Sequence, residues 1–106
     1  MSANKKQKVK EKVYFFLKKI PKGKVTTYKA IANACNISPR QVGKILSENP
    51  YYNVPCHRVV RSDGNVGGFT WEEKQNQKKK ITLLKKEGVN IKGKKILNFK
   101  QVFLYP

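Results

Sequence analysis

Ser38-Pro39-Arg40-Gln41-Val42-Gly43-Lys44-Ile45-Leu46 decides the architecture, because a complete helix start is followed at once by an apolar stripe. Ser38 is an N-cap whose oxygen can take an orphan backbone N–H, and Pro39 suits the first helical position with its fixed φ. Gln41, three residues after the serine, completes a capping box. Val42, Ile45 and Leu46 give the helix one buried face, and Asn49-Pro50 ends it. On its N-terminal side, Thr27 caps another short helix over 28–35, in which Ala30, Ile31 and Ala34 are available for packing and Cys35 reads as core. Two short helices joined by a few residues have the layout of a helix-turn-helix, whose second helix is the recognition helix.

Further out in both directions the pattern stays regular. Val9, Val13, Phe16, Leu17 and Ile20 recur at steps of three and four, predicting a first helix with one apolar face that Pro21 and Gly23 stop. Val59-Val60 and Val66 flank Arg61-Ser62-Asp63-Gly64-Asn65 and predict two short strands around an Asp-Gly turn, a wing beside the helices. Thr70 and Glu73 form a second capping-box pattern, predicting a helix over 71–87 that packs through Trp71, Ile81 and Leu84 and stops at Gly88. Glu87 then sits at the end of a helix, where a carboxylate opposes the dipole and needs another partner, and His57 is a candidate. Residues 96–105 alternate loosely enough to form either a strand or a packed strap. The expected fold class is α+β, mostly helical: a single winged helix-turn-helix-like domain over residues 1–106 with a short β wing.

Lys and Arg number 24 against 6 acidic residues, a formal charge of +18, far beyond what solubility needs. That excess points to a polyanionic partner, with nucleic acid the leading candidate. No long amphipathic helix with a broad apolar face supports a membrane-surface role, and 13–17, the longest apolar run, is too short to span a bilayer. The N-terminus lacks a signal peptide's apolar segment, so an intracellular location is expected, cytoplasm and nucleoid, or the nucleus in a eukaryote. Two cysteines and one histidine without a Cys-x-x-Cys pair cannot supply a four-ligand zinc site, so no metal is expected. The lysines of the first helix read as a solvated or phosphate-facing side, and beyond the lysine clusters Lys5-Lys6 and Lys78-Lys80 there is no internal repeat or low-complexity linker.

The chemistry is concentrated in Asn53-Val54-Pro55-Cys56-His57-Arg58-Val59-Val60, which holds the only histidine beside one of the two cysteines. A free thiol has a pKa of about 8.5 and needs help to ionise at neutral pH. His57 is the evident helper, yet adjacent side chains point in different directions, so a bridging water is the plausible link. Taken alone, the pair reads equally well as a small buried cysteine and a satisfied loop histidine. Arg40 is one of only three arginines, placed at the exposed start of the recognition helix, where a rigid planar head suits insertion into a groove or a base stack. Gly43, one turn on, lets a partner's backbone come close.

Pro55-Cys56-His57-Arg58-Val59-Val60, followed by Asp63-Gly64 and Val66-Gly67-Gly68-Phe69, closely resembles the active-site segment of the O6-alkylguanine-DNA alkyltransferases, the methylated-DNA-protein-cysteine methyltransferases. The resemblance spans residues 9–89 and implies the family's catalytic domain without its separate N-terminal domain. It implies Cys56 as alkyl acceptor, His57 as its base through a water, and Glu87 as the carboxylate orienting the imidazole. It further makes Tyr28 the tyrosine that stabilises the departing base and Asn49 the brace between helix-turn-helix and active-site turn. Arg40 would be the finger that fills the stack, with Lys29, Ser62, Tyr28 and Gly43 on the DNA side. Val59, Thr70, Tyr52 and Phe69 would shape the substrate pocket. The implied partner is double-stranded DNA containing O6-alkylguanine, with O4-alkylthymine a further possible substrate; the implied enzyme is a monomer that acts once and needs no cofactor. Tyr51, Tyr52, Asn53, Phe69 and Trp71 depart from the usual residues, which bears on pocket shape. Two alternatives remain: a non-enzymatic alkyltransferase-like lesion binder, a class in which the acceptor cysteine is replaced, and a basic helix-turn-helix DNA-binding protein.

Overall fold

The computed structural model describes residues 5–49, 53–71 and 74–106, so the expectations placed on Tyr51, Tyr52 and Glu73 lie outside the described residues. Helix α1 (Lys5–Leu17) buries Val13 and Leu17 completely and packs Val9 and Phe16 on the same core, as its spacing predicts. A tight turn then carries fully buried Ile20 to Pro21.

Strand β1 (Thr26–Thr27) leads straight into α2 (Tyr28–Cys35), and Thr27 Oγ1 accepts the Ala30 N–H at 3.0 Å. Asn36 closes α2 in the left-handed region at φ 58°, a conformation asparagine tolerates, and this turns the chain into the next helix. In α3 (Pro39–Ser47) both halves of the capping box form: Ser38 Oγ accepts the Gln41 N–H at 3.1 Å, and Gln41 Oε1 accepts the Ser38 N–H at 3.0 Å. Val42, Ile45 and Leu46 join Ile31 and Cys35 in the core shared with α1. Each such aliphatic side chain contributes about 1.5–3 kcal/mol by leaving water, which locks α3 against α2 and leaves Arg40 outside.

The wing differs from its expected form. Strand β2 (Val59–Val60) does not pair with Val66; it runs parallel to β1, with Thr26 opposite Val59 and Thr27 opposite Val60. Successive strand residues face opposite ways, and here both ways are interior: Val59 belongs to the α1–α3 core and Val60 to a second core with Val25, Val66, Leu84, Val89 and Ile96. A strand buried on both faces is drawn inward rather than onto an exposed hairpin. The Asp-Gly turn does form over 61–65, closed by Arg61 N–H to Asn65 O at 2.9 Å, and Val66 instead donates to the Lys94 carbonyl at 2.9 Å.

The helix expected over 71–87 is also corrected. Residues Thr70–Trp71 form β3, antiparallel to β4 (Lys74–Gln75), and α4 runs only over Gln77–Lys86. Asn76 is the true N-cap, its side chain accepting the Lys79 N–H at 3.0 Å. Thr and Trp favour a pleated strand, and an equally good cap downstream releases them to form one. The C-terminal stop is as predicted: Gly88 at φ 95° lets its own N–H reach the Lys85 carbonyl and the Val89 N–H reach the Leu84 carbonyl, both at 3.0 Å. The tail is neither a single strand nor a plain strap. It forms a hairpin of β5 (Ile91–Lys92) and β6 (Lys95–Ile96), then α5 (Phe99–Val102), then a bridge from Phe103 to Val25.

Candidate active site and nucleic-acid interface

One tight 3-10 turn, Cys56–Arg58, sends the Cys56 side chain one way and those of His57 and Arg58 toward Glu87. The sulfur turns toward the end of the recognition helix, where Asn49 Nδ2 donates to Cys56 Sγ at 2.9 Å. The imidazole turns the other way, His57 Nε2 lying 2.8 Å from Glu87 Oε2. Arg58 grips the same carboxylate with two prongs, Nε to Oε1 at 2.9 Å and Nη2 to Oε2 at 2.7 Å, and its Nη1 donates to the Ile20 carbonyl at 2.7 Å. Glu87, the C-cap of α4, thus has a full guanidinium offsetting the unfavourable dipole there. Gly23 lets the loop after α1 pass this corner: its φ is +86°, and a Cβ would lie 3.3 Å from the Glu87 carbonyl.

Electrostatics separate the partners. Burial pushes the Cys56 thiol up to about 11, against the opposing pull of the Asn49 hydrogen bond and the Lys80 charge, so at neutral pH it rests as a thiol. Burial pulls His57 down, although Glu87 pushes it up, and the net lowering leaves a neutral imidazole at pH 7 that can accept a proton. Burial raises Glu87, but the hydrogen bonds from Arg58 and His57 outweigh it and hold the carboxyl below its ordinary range.

Cys56 opens into a pocket of about 140 Å³ between α3 and the β3–β4 hairpin, lined also by Tyr28, Gly43, Phe69, Thr70 and Gln75. A shallow groove outside is lined by Tyr28, Lys29, Arg40, Gly43, Arg61 and Ser62 among others. Tyr28 and Gly43 belong to both, so they stand at the passage from the outer face to the sulfur. All five residues expected on the DNA side line that groove. Of the expected pocket residues, Phe69 and Thr70 line the cavity, whereas Val59 does not: it is wholly buried in the core and its carbonyl accepts from Lys80. Tyr52 lies outside the described residues.

A family model described as the DNA-binding domain of 6-O-methylguanine DNA methyltransferase matches residues 8–89. The chain belongs to this family. A methylated-DNA-protein-cysteine methyltransferase of Methanothermobacter thermautotrophicus is 44% identical over 75 residues, which are 70% of this chain and 40% of that protein. The chain spans less than half the length of the curated relatives it matches. Among solved structures, Schizosaccharomyces pombe Atl1, in complex with damaged DNA containing O6-carboxymethylguanine, has a TM-score of 0.80 at 31% identity, covering 94% of this chain and 97% of Atl1. The O6-methylguanine-DNA methyltransferase of Pyrococcus kodakaraensis has a TM-score of 0.66 at 44% identity, covering 76% of this chain and 46% of that one. The fold is that of the methyltransferase DNA-binding domain.

Within this DNA-binding domain, the residue that reading the sequence overlooked is Lys80. It is fully buried, and its ammonium donates to the Val59 carbonyl at 2.6 Å and the Gly68 carbonyl at 3.0 Å, with the Tyr28 hydroxyl 3.5 Å away. Burial lowers its pKa to about 7, with the Cys56 charge pulling the other way. Two carbonyls and a hydroxyl offer acceptors to the three donors of an ammonium, but burial outweighs them and disfavours the charged form relative to water. The signal was in the helix register: Lys80 lies four residues before Leu84, on the face α4 buries, but the run Lys78-Lys79-Lys80 resembles solvated charge until the helix start is known. No helix among the described residues is long and apolar enough to cross a membrane, and no group of three or more His, Cys, Asp or Glu among them could hold a metal.

Proposed function

We propose that this chain repairs alkylated DNA by moving the alkyl group from O6 of a flipped guanine onto Cys56 Sγ. The observation that carries the reading is the sulfur itself: Cys56 faces the pocket while Asn49 donates to it, on the same turn that presents His57 to Glu87. In the step, the Cys56 proton passes to His57 through a bridging water, because the two side chains diverge. Sulfur then attacks the alkyl carbon, a C–S bond forms, the C–O6 bond breaks with its electron pair passing to the guanine, and the base leaves as an anion that Tyr28 stabilises by a hydrogen bond and water protonates, while His57 returns its proton to solvent. Glu87 keeps the imidazole oriented and stabilises it once it is charged. The thioether is stable, so each molecule acts once. An alkyl group inside a duplex is out of reach until its base rotates out, at a cost of a few kcal/mol, which Arg40 offsets by entering the stack. No cofactor enters this scheme, and a monomeric domain suffices for it.

A lesion binder without transfer is favoured by one observation, that the His57 imidazole turns away from the sulfur to Glu87, while burial raises the thiol in the same sense. Mass spectrometry after incubation with duplex DNA containing O6-methylguanine separates the two. One methyl gained on Cys56 supports transfer; tight binding with unchanged mass supports the binder and removes the transfer reading.

A further inference from the structure

The β5–β6 hairpin presents a charge pattern that the free protein does not favour. Its register places Lys92 directly opposite Lys95, Gly93 makes the turn at φ +63°, and Lys94 follows. All three lysines are exposed. Like charges facing each other across a hairpin repel; residues 88–106 contain no acidic side chain, and the Asp63 carboxylate on the wing turn offsets the charge of Lys95 but belongs to another element. The hairpin also lies beyond residues 8–89, which the family model matches.

Its position is set by the wing turn. The Ile96 N–H donates to the Gly64 carbonyl and the Val66 N–H to the Lys94 carbonyl, each at 2.9 Å, while Lys95 Nζ donates to the Asp63 carbonyl at 2.8 Å. Asp63 and its neighbours Arg61 and Ser62 line the outer groove with Arg40. The lysines are therefore fixed by backbone bonds to the wing turn that forms one wall of that groove, rather than carried on a free tail.

We propose that this hairpin is a second phosphate-binding surface, which lengthens the protein's footprint along the same duplex that the groove engages. The inference rests on the reading of the chain as a duplex-DNA repair protein. A polyanion passing the wing would remove the Lys92–Lys95 repulsion, and each phosphate neutralised adds about 0.9 to the slope of log affinity against log salt.

The test is duplex binding at a series of salt concentrations by the full chain and two double variants, Lys92→Gln/Lys94→Gln and Lys92→Arg/Lys94→Arg. Both leave the Lys95–Asp63 bond in place, and thermal unfolding checks that each is folded. The glutamine variant should lose about one to two from the slope and several-fold to tens-fold in affinity near 0.1 M salt, whereas the arginine variant should keep both. A glutamine variant with the parent slope and affinity overturns the inference while leaving the lesion-repair reading intact. An arginine variant that weakens as much as the glutamine one also overturns it, because packing rather than charge would then be at work. Failure of the unaltered chain to bind duplex DNA would remove the repair reading and this inference with it.

Discussion

Asn49 Nδ2 lies 2.9 Å from Cys56 Sγ, so the residue that follows the C-cap of α3 holds the sulfur directly. A hydrogen bond to a charged group is worth about 1.5–3 kcal/mol, and this one favours the thiolate over the thiol. Asn49→Ala should therefore slow iodoacetamide alkylation of Cys56 by roughly tenfold or more at pH 8, measured in a Cys35→Ala background, with duplex affinity little changed. An unchanged alkylation rate would mean that the contact does not stabilise the thiolate.

The two cysteines should behave oppositely. Cys35 is buried in the core, and its thiol is raised by burial, whereas Cys56 lines the pocket. Cys56→Ala should abolish methyl uptake while retaining most of the salt-dependent duplex affinity, and Cys35→Ala should be nearly silent in transfer. Intact-mass analysis of both variants after exposure to methylated duplex decides it: methyl uptake by the Cys56 variant would refute the acceptor assignment.

These contrasts show how much was legible beforehand. Thr27 and the Ser38-Pro39-Arg40-Gln41 box are local signals whose energetics lie within a few residues, so α2 and α3 emerge with their caps in place. Thr70 and Glu73 carried a similar local signal and misled, because Asn76 is an equally good cap and the choice between them is made by hairpin pairing and packing. Parallel pairing of Val59–Val60 with Thr26–Thr27 joins segments more than thirty residues apart, and no local pattern specifies it. The site followed the same rule: Cys56, His57 and Glu87 were visible as residue types, but the Arg58 grip on Glu87 and the buried Lys80 are tertiary facts.

The Arg58–Glu87 pair sets an acid limit to stability. Glu87 has a folded pKa below the unfolded value of about 4.3, so its contribution is complete above that value and is lost as pH falls through the folded pKa. Glu87→Gln should cost about 3 kcal/mol or more at neutral pH, because it leaves the Arg58 guanidinium, only 12% exposed, without its counter-charge. Urea unfolding at pH 7 and pH 3 should show the gap between parent and variant narrowing in acid. A gap that widens in acid would contradict the sign of this linkage.

Lys80 gives the alkaline counterpart. Its folded pKa of about 7 lies below the unfolded value of about 10.4, so across that window the unfolded chain binds more protons and stability rises with pH. Cys56 works in the opposite sense above about 8.5, since its thiol stays protonated to about 11 only when folded. Stability should therefore climb between about pH 7 and 8.5 and then level off. Lys80→Met should remove the climb and cost about 1–3 kcal/mol, because the Val59 and Gly68 carbonyls lose their donor. A climb that persists in the methionine variant would assign it to another group.

Arg40 separates a lesion-flipping enzyme from a simple basic binder. It is exposed at the start of α3 and lines the outer groove, while the Cys56 pocket shares only the Tyr28–Gly43 boundary with that groove. A side chain that enters the stack only once the lesion has rotated out stabilises the flipped state and not the initial complex. Arg40→Ala should then slow methyl transfer from duplex DNA by about tenfold to a hundredfold at saturating DNA, with a smaller loss of ground-state affinity. Free O6-substituted guanine needs no flipping, so the variant should react with it at nearly the parent rate. Equal slowing on duplex and free base would place Arg40 in support of the fold or the pocket, and the stack-filling role would go to another residue of the groove.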